Sequence, residues 1–261
     1  MASVYHKKPH SSRKTRLLAP FLPRYRAKLA MERLSAPVAR IVPETMLSND
    51  GRYLYVKNSK AACTSVGNRF YCWQTGDYPA GNIHSQRDDV RQGIRYADAV
   101  VEALLSPDTF KFTFVRHPVA RTVSAFTNFF VDKTNRARPK HARHISRFGL
   151  NDGKPVEENF EAFLDYVAHS MHVDPDLTDP HFRTQTRNIA YGHVDYDVIG
   201  RVETLEADLQ RIGTHLEADC PASVTGAKPA SNRSRSRFTP EPCHIARIEA
   251  LYAQDFEAFG Y

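Results

Sequence analysis

The chain has 261 residues, 41% of them hydrophobic, and a formal charge of +7 with a pI near 9.2. That suffices for one sizeable core, or one core with a small appended piece, in a globular protein. No run of about 18 apolar residues occurs, which excludes a membrane-spanning helix, and no CxxC pair occurs among Cys63, Cys72, Cys220 and Cys243, which excludes common zinc spacings. The positive balance favours an anionic partner such as a nucleotide, nucleic acid, acidic glycan or membrane surface. Cysteine usage favours a reducing compartment, with a disulfide permitted but not required.

In chain order, residues 1–40 read as a basic arm, partly disordered or helical, without an acid before Glu32. Its apolar stretch "LLAPFLP" is broken by prolines and too short for a signal-peptide core. The folded body is expected over 41–261 as a single domain. "YLYV" (53–56) is a strand by its β-branched and aromatic content. A polar turn follows, then a helix from about Ser65 to Trp73. The spacing of Val90, Ile94, Ala97, Val101 and Leu104 predicts a helix over 87–105, stopped at Pro107. "FKFTFV" (110–115) is a second strand, and Pro118 opens the next helix at a position that tolerates proline.

Residues 132–155 are polar and basic without a strong pattern and read as a surface insertion. "NFEAFLDYVAHS" (159–170) is an amphipathic helix, and "YDVIGRVE" (196–203) a third strand. A helix over 204–216 has Thr204 as its cap. "AKPASNRSRSRF" is a basic loop, and a final helix runs from Glu241 to Phe256. Strands alternating with helices predict an α/β fold with a mostly parallel sheet covered on both faces. Ligands in such sheets bind beyond the carboxyl ends of the strands.

Two strand-to-helix turns carry the chemistry. The first, "SKAACTS", places Lys60, Cys63, Thr64 and Ser65 before a helix, whose free N–H groups attract anions. It lacks the glycines of GxxxxGK[ST]. The second, "FVRHPVARTVSAF", puts Arg116 at a strand end and Ser124 eight positions later, a guanidinium fork and a hydroxyl suited to a second phosphate. Taken singly, each turn also fits a helix cap or a structural arginine.

Together the two turns resemble the nucleotide-binding segments of the PAPS-dependent sulfotransferases, whose donor, adenosine 3′-phosphate 5′-phosphosulfate, has two separate phosphate sites. In that family a Pro-Lys-x-Ala-Cys-Thr-Ser segment holds the 5′ phosphosulfate. A strand ending Val-Arg-x-Pro, then Arg and Ser-Ala-Phe/Tyr, holds the 3′ phosphate. "SKAACTS" and "VRHPVARTVSAF" look most like the carbohydrate sulfotransferases of the chondroitin and dermatan type. The resemblance continues through "YPAGNIH" (78–84), "DPHFRTQTRNIAYGHVDYDVIGRVETLEADL" (179–209), "SRSRF" (234–238) and "LYAQDFEAFGY" (251–261). Ser59 departs from the usual proline, and the family's paired cysteines near the "YDxxG" strand and its membrane anchor are missing. These losses fit a cytoplasmic and bacterial relative.

The resemblance implies a P-loop-like three-layer sandwich and sulfuryl transfer from PAPS to a hydroxyl of a carbohydrate acceptor. The acceptor would be an oligosaccharide, polysaccharide or glycolipid, with an anionic one compatible and peripheral membrane contact permitted. No nucleic acid and no metal are expected. Lys60 would stabilise the leaving oxygen. Lys60, Ala61, Ala62, Cys63, Thr64 and Ser65 would hold the 5′ end, and Arg116, Ser124 and Arg235 the rest of the nucleotide. His84 is the first choice for the base and His181 the second, with Glu203 organising the site. The pairs His141/His144 and His169/His172 lack the partners of a metal site. Two other readings stay open: an ATP-dependent kinase or NTPase on a related fold, and a non-enzymatic polyanion binder.

Overall fold

The computed structural model describes residues 13–135, 137–220 and 238–261. In chain order its main elements are α1 (Arg13–Leu18), α2 (Pro23–Met31), α3 (Ala36–Ile41), β1 (Thr45–Leu47), β2 (Tyr53–Val56), α4 (Cys63–Thr75), α5 (Ala97–Leu105), β3 (Phe110–Val115), α6 (Pro118–Phe126), α7 (Arg138–Ile145), α8 (Val156–Val173), α9 (Gln185–Asn188), β4 (Val198–Arg201), α10 (Leu205–His215), α11 (Pro242–Leu251) and α12 (Ala253–Phe259). The chain divides into two compact units, Met1–Val115 with Arg187–Pro229, and Arg116–Thr186 with Ala230–Tyr261.

The first unit holds a four-stranded sheet in the order β1-β2-β3-β4, antiparallel at β1–β2 and parallel elsewhere. The mixed α/β class and mostly parallel sheet are therefore as expected. Alternation places Tyr53 and Tyr55 of β2 and Phe112 and Phe114 of β3 in one core with Val66 and Phe70 of α4 and Leu209 and Ile212 of α10. Tyr55 pairs with Phe112 in the ladder, and their rings stack at 5.3 Å. Phe114 faces Gly200 of β4, where a Cβ would lie 2.5 Å from the Phe114 ring, so only glycine leaves room for that ring.

Two expectations change here, at the 87–105 helix and at Thr204. The helix expected over 87–105 is α only from Ala97, because Arg91 and Gly93 take positive φ of 40° and 104° and break the periodic run. The basic arm is helical across much of 13–41, and α2 is tied to α5 by the ion pairs Arg26–Asp98 (3.5 Å) and Arg33–Glu102. Thr204 stands at the N-cap of α10 but gives its hydroxyl to Asp208 Oδ2 (2.7 Å) instead of capping the backbone.

The second unit is an aromatic helical core in which Phe126, Phe129, Phe130, Phe160, Phe163 and Phe182 are buried together. The 132–155 stretch is not a patternless insertion. It contains α7, whose buried His141 and Ile145 sit one turn apart. The final helix is two. Tyr252 leaves helical geometry between α11 and α12, and its hydroxyl donates to the Phe182 carbonyl at 2.7 Å.

Cys72 of α4 and Cys220 form a disulfide across 148 residues of sequence in the first unit, while Cys63 and Cys243 are free thiols. Closing so long a loop restricts the unfolded chain strongly. Protein alkylated directly from its native cells is expected to show two reactive thiols on denaturation. Reduction should lower its stability to denaturant by roughly 2–5 kcal/mol.

Candidate active site

In the first unit the "SKAACTS" segment forms the turn from β2 into α4. Buried Asn58 anchors it: its amide donates to the Phe114 carbonyl (3.0 Å) and its Oδ1 accepts from Asn188 (3.1 Å). The Thr113 hydroxyl donates to the Val56 carbonyl at 2.8 Å, fixing the strand end. The loop takes glycine-like backbone conformations without glycine. Lys60 and Ala62 take left-handed φ of 68° and 54°, the conformation that glycine supplies in most phosphate loops. Ala62 is also the N-cap of the 13-residue α4 and offers no side-chain cap to it. A helix opened in this way directs its first N–H groups and the positive end of its dipole at the loop, which suits an anionic ligand.

His84 lies on a short 3-10 turn (Ile83–Ser85) whose N-cap Asn82 accepts from the His84 N–H at 3.0 Å. Its Nε2 stands 3.1 Å from Thr64 Oγ1. The fold thus brings together two residues 20 apart that the sequence singles out separately. Lys57, next to the loop, is paired with Glu44. Burial lowers the Lys57 pKa, but the Glu44 charge outweighs it and holds the ammonium above its usual range.

In the second unit Arg116 begins the segment leading to α6, and half-buried Ser124 lies on that helix. His117 caps α6, its Nδ1 accepting from the Val119 N–H at 3.3 Å. The backbone of Arg116 is clamped by one buried side chain. Its N–H donates to Gln185 Oε1 (3.0 Å), and Gln185 Nε2 donates back to its carbonyl (2.8 Å). Gln185 is held in turn by buried Asp255, whose two oxygens accept the Gln185 and Thr186 N–H groups at 2.8 and 2.9 Å. Burial pushes the Asp255 carboxyl up, opposed by the Arg121 charge and these hydrogen bonds. Buried Arg121, pulled down by desolvation, donates to the Pro180 carbonyl at 2.9 Å.

His181 is in the same unit and is oriented by a carboxylate. Asp179 Oδ1 bonds both the His181 N–H (3.0 Å) and its ring Nδ1 (2.7 Å). Asp179 Oδ2 bonds His141 Nε2 at 3.0 Å, and His141 Nδ1 meets the Tyr166 hydroxyl at 2.7 Å. Burial raises the Asp179 carboxyl pKa, yet the hydrogen bonds from His141 and His181 outweigh it and hold it well below the usual carboxylate range. With Nδ1–H given to Asp179, the basic nitrogen of His181 is Nε2.

Sequence reasoning misses these roles for Asp179, His141, Tyr166, Gln185 and Asp255. The Asp-x-His spacing of "DPHF" is the one readable signal. Glu203 is exposed just after β4. Arg235 and the basic loop before Phe238 lie outside the described residues. Glu241, Cys243 and His244 are the one group at metal-ligand proximity among the described residues. A helix cap accounts for it: Glu241 and His244 form the capping box of α11, with His244 Nδ1 accepting from the Glu241 N–H at 3.2 Å.

The first unit thus holds a lysine-bearing loop that opens a helix, and the second an arginine whose backbone is clamped by Gln185, in a mixed α/β protein. The model of the Sulfotransferase family matches residues 40–261, and the chain belongs to that family. It is 26% identical over 237 residues to carbohydrate sulfotransferase 14 of Danio rerio, covering 85% of this chain and 63% of that one. Against carbohydrate sulfotransferase 14 of Homo sapiens it is 27% identical, over 83% of this chain and 59% of the other. Against carbohydrate sulfotransferase 10 of Danio rerio the identity is 30%, over 58% and 47%. The chain thus spans less than two thirds of these relatives' lengths. No solved structure matches it significantly.

Two outcomes test this geometry. Ala62→Gly is expected to be near neutral in stability, while Ala62→Val should cost roughly 1–3 kcal/mol in denaturant unfolding, since a β-branched residue is strained at positive φ. Because the folded Asp179 pKa is depressed, its stabilisation is complete above the ordinary carboxylate pKa of about 4 and drains away as pH falls from there toward the folded value. His141, His181 and Lys140 face this carboxylate and set the effect. Asp179→Asn should therefore be less stable than the parent at neutral pH, and the gap should narrow in acid melts below pH about 4.

Proposed function

We propose that this protein is a PAPS-dependent sulfotransferase that moves a sulfuryl group onto a hydroxyl of a carbohydrate. The observation that carries the reading is the "SKAACTS" loop, with Lys60 and Ala62 in left-handed conformations at the start of α4 and His84 bonded to Thr64, in a chain matching the family from residue 40 to 261. The acceptor class comes from the relatives' names and the activity from the family. A P-loop-like three-layer sandwich is part of the same proposal, supported by the parallel β2-β3-β4 order and the β2–α4 loop.

The donor set fits two phosphate groups. Thr64, Ser65 and the loop backbone from Ala61 through Cys63 would hold the 5′ phosphate, with Arg116 and Ser124 on the 3′ phosphate and Arg235 added from the basic loop. When bound, PAPS would supply the activated sulfuryl group. In-line displacement then asks three things of the chain: a cation at the leaving oxygen, a base at the acceptor hydroxyl and rigid alignment. Lys60 supplies the first, and Lys60 and Arg116 together bring enough positive charge that no metal is invoked. Of the two histidines, His84 is assigned the base, because its ring is fixed to the phosphate loop through Thr64. His181, oriented by Asp179, is the alternative.

The kinase and polyanion-binder readings gain no support: GxxxxGK[ST] is absent and the family match is to sulfotransferases. The compartment reading shifts. The Cys72–Cys220 disulfide supports an oxidising compartment over the cytoplasmic one expected from cysteine usage, and the thiol count above tests it.

Calorimetric titration tests the nucleotide site. Adenosine 3′,5′-bisphosphate is expected to bind clearly tighter than ADP or ATP, and Arg116→Ala should lose roughly 2–5 kcal/mol of that binding. Equal binding of ADP with no effect of Arg116→Ala would overturn the proposal.

A further inference from the structure

We propose that the α1–α2 hairpin is a membrane-docking tip that seats the protein on an anionic lipid surface. Residues 1–40 hold ten Lys and Arg against one acid, a net +9, which leaves −2 on residues 41–261 out of the total +7. The excess charge of the whole protein thus sits on its first segment.

The burial pattern of this hairpin is inverted for a protein surface. Its buried residues are mostly small: Thr15, Ala19 and Ala27, with Met31 at the far end. Three of its large apolar residues point outward, Leu17 73% exposed, Phe21 78% and Leu22 37%, while Leu18 and Leu29 are half-buried. Three of the seven exposed large hydrophobics among the described residues fall within these six positions. Scattered exposed leucines need no explanation, but an apolar tip at a turn does.

The turn is defined, with the Phe21 and Leu22 N–H groups donating to the Leu18 carbonyl at 3.1 and 2.9 Å. α2 is fixed to α5 through Arg26–Asp98 and Arg33–Glu102, so the tip is presented from a packed element. Around it stand the exposed cations Arg13, Lys14, Arg16 and Arg24. Half-buried Tyr25 lies under Arg24 and Lys28, whose charged groups are 4.9 and 5.5 Å from its ring.

Exposed apolar side chains at a turn, with exposed cations and an aromatic on the flanking helices, are what an interfacial site on anionic lipid requires. The apolar groups enter the acyl boundary, and the cations meet the headgroup phosphates. A nucleic acid or acidic glycan would use the cations and leave Leu17 and Phe21 facing water, so the apolar tip selects the membrane.

The test is flotation of the full chain with vesicles, and it does not depend on sulfotransferase activity. Binding is expected to phosphatidylcholine vesicles doped with phosphatidylglycerol and not to phosphatidylcholine alone. The double variant Leu17→Ser/Phe21→Ser should weaken binding at least about tenfold. Arg13→Glu/Arg16→Glu should weaken it similarly, and added salt should weaken all variants. Because none of these side chains is buried, thermal melts of the variants should overlay the parent. Unchanged vesicle binding by Leu17→Ser/Phe21→Ser would overturn the proposal. So would heparin or RNA binding that Arg13→Glu/Arg16→Glu abolishes in a protein that ignores anionic vesicles.

Discussion

The β2–α4 turn depends on one buried amide. Asn58 joins the β2–α4 turn to the Phe114 carbonyl on β3 and to Asn188, and it does so with no exposed surface. A buried amide must find its partners or lose the full desolvation cost, so this pairing admits one loop geometry. Two left-handed residues without glycine follow. Each costs about 1–2 kcal/mol, and such strain persists only where the surroundings over-determine the backbone. The anchored strand end, the Asn58 bonds and the start of α4 together provide that determination. The consequence is a turn whose backbone is fixed by the fold itself.

The second unit applies the same logic to Arg116. Its backbone is what the structure controls, through both ends of the Gln185 amide. Asp255 holds Gln185 by taking two consecutive N–H groups, so an acid from the last helix sets the position of an arginine at a strand end. The polar chain from Tyr166 through His141 and Asp179 to His181 orients a histidine in the same way. Fully paired polar networks of this kind rigidify what they contain. The side chains they hold are aligned without needing to reorganise.

Charge and covalent structure divide the remaining tasks. The core of the first unit rests on the stacked aromatics of β2 and β3, helped by a glycine that makes room for Phe114 and a disulfide that closes a long loop. The positive charge of the protein is concentrated outside that core, on the N-terminal segment, where Arg26 and Arg33 pair with α5 and other cations stay exposed.

Much is legible in the sequence where local chemistry is sufficient. β2 and β3 fall where "YLYV" and "FKFTFV" put them, because β-branched and aromatic runs fix strands without outside help. The two phosphate-type turns and the family are readable from Lys60 to Ser65 and from Arg116 to Ser124. The helix expected over 87–105 starts too early because periodicity carries no information about Arg91 and Gly93 at positive φ. α7 escapes notice because only two of its eight residues face the core, too few to show a period. The partners of the site are out of reach for a different reason. The pairs Asp179 with His141, Asn58 with Phe114, Gln185 with Arg116, and Cys72 with Cys220 join positions 38 to 148 residues apart. Which side chains are candidates for an anion follows from residue type and short spacing, so the linear chain already names them. Which of them are held rigid is settled by the fold alone, since a hydrogen bond depends on where the folded chain returns.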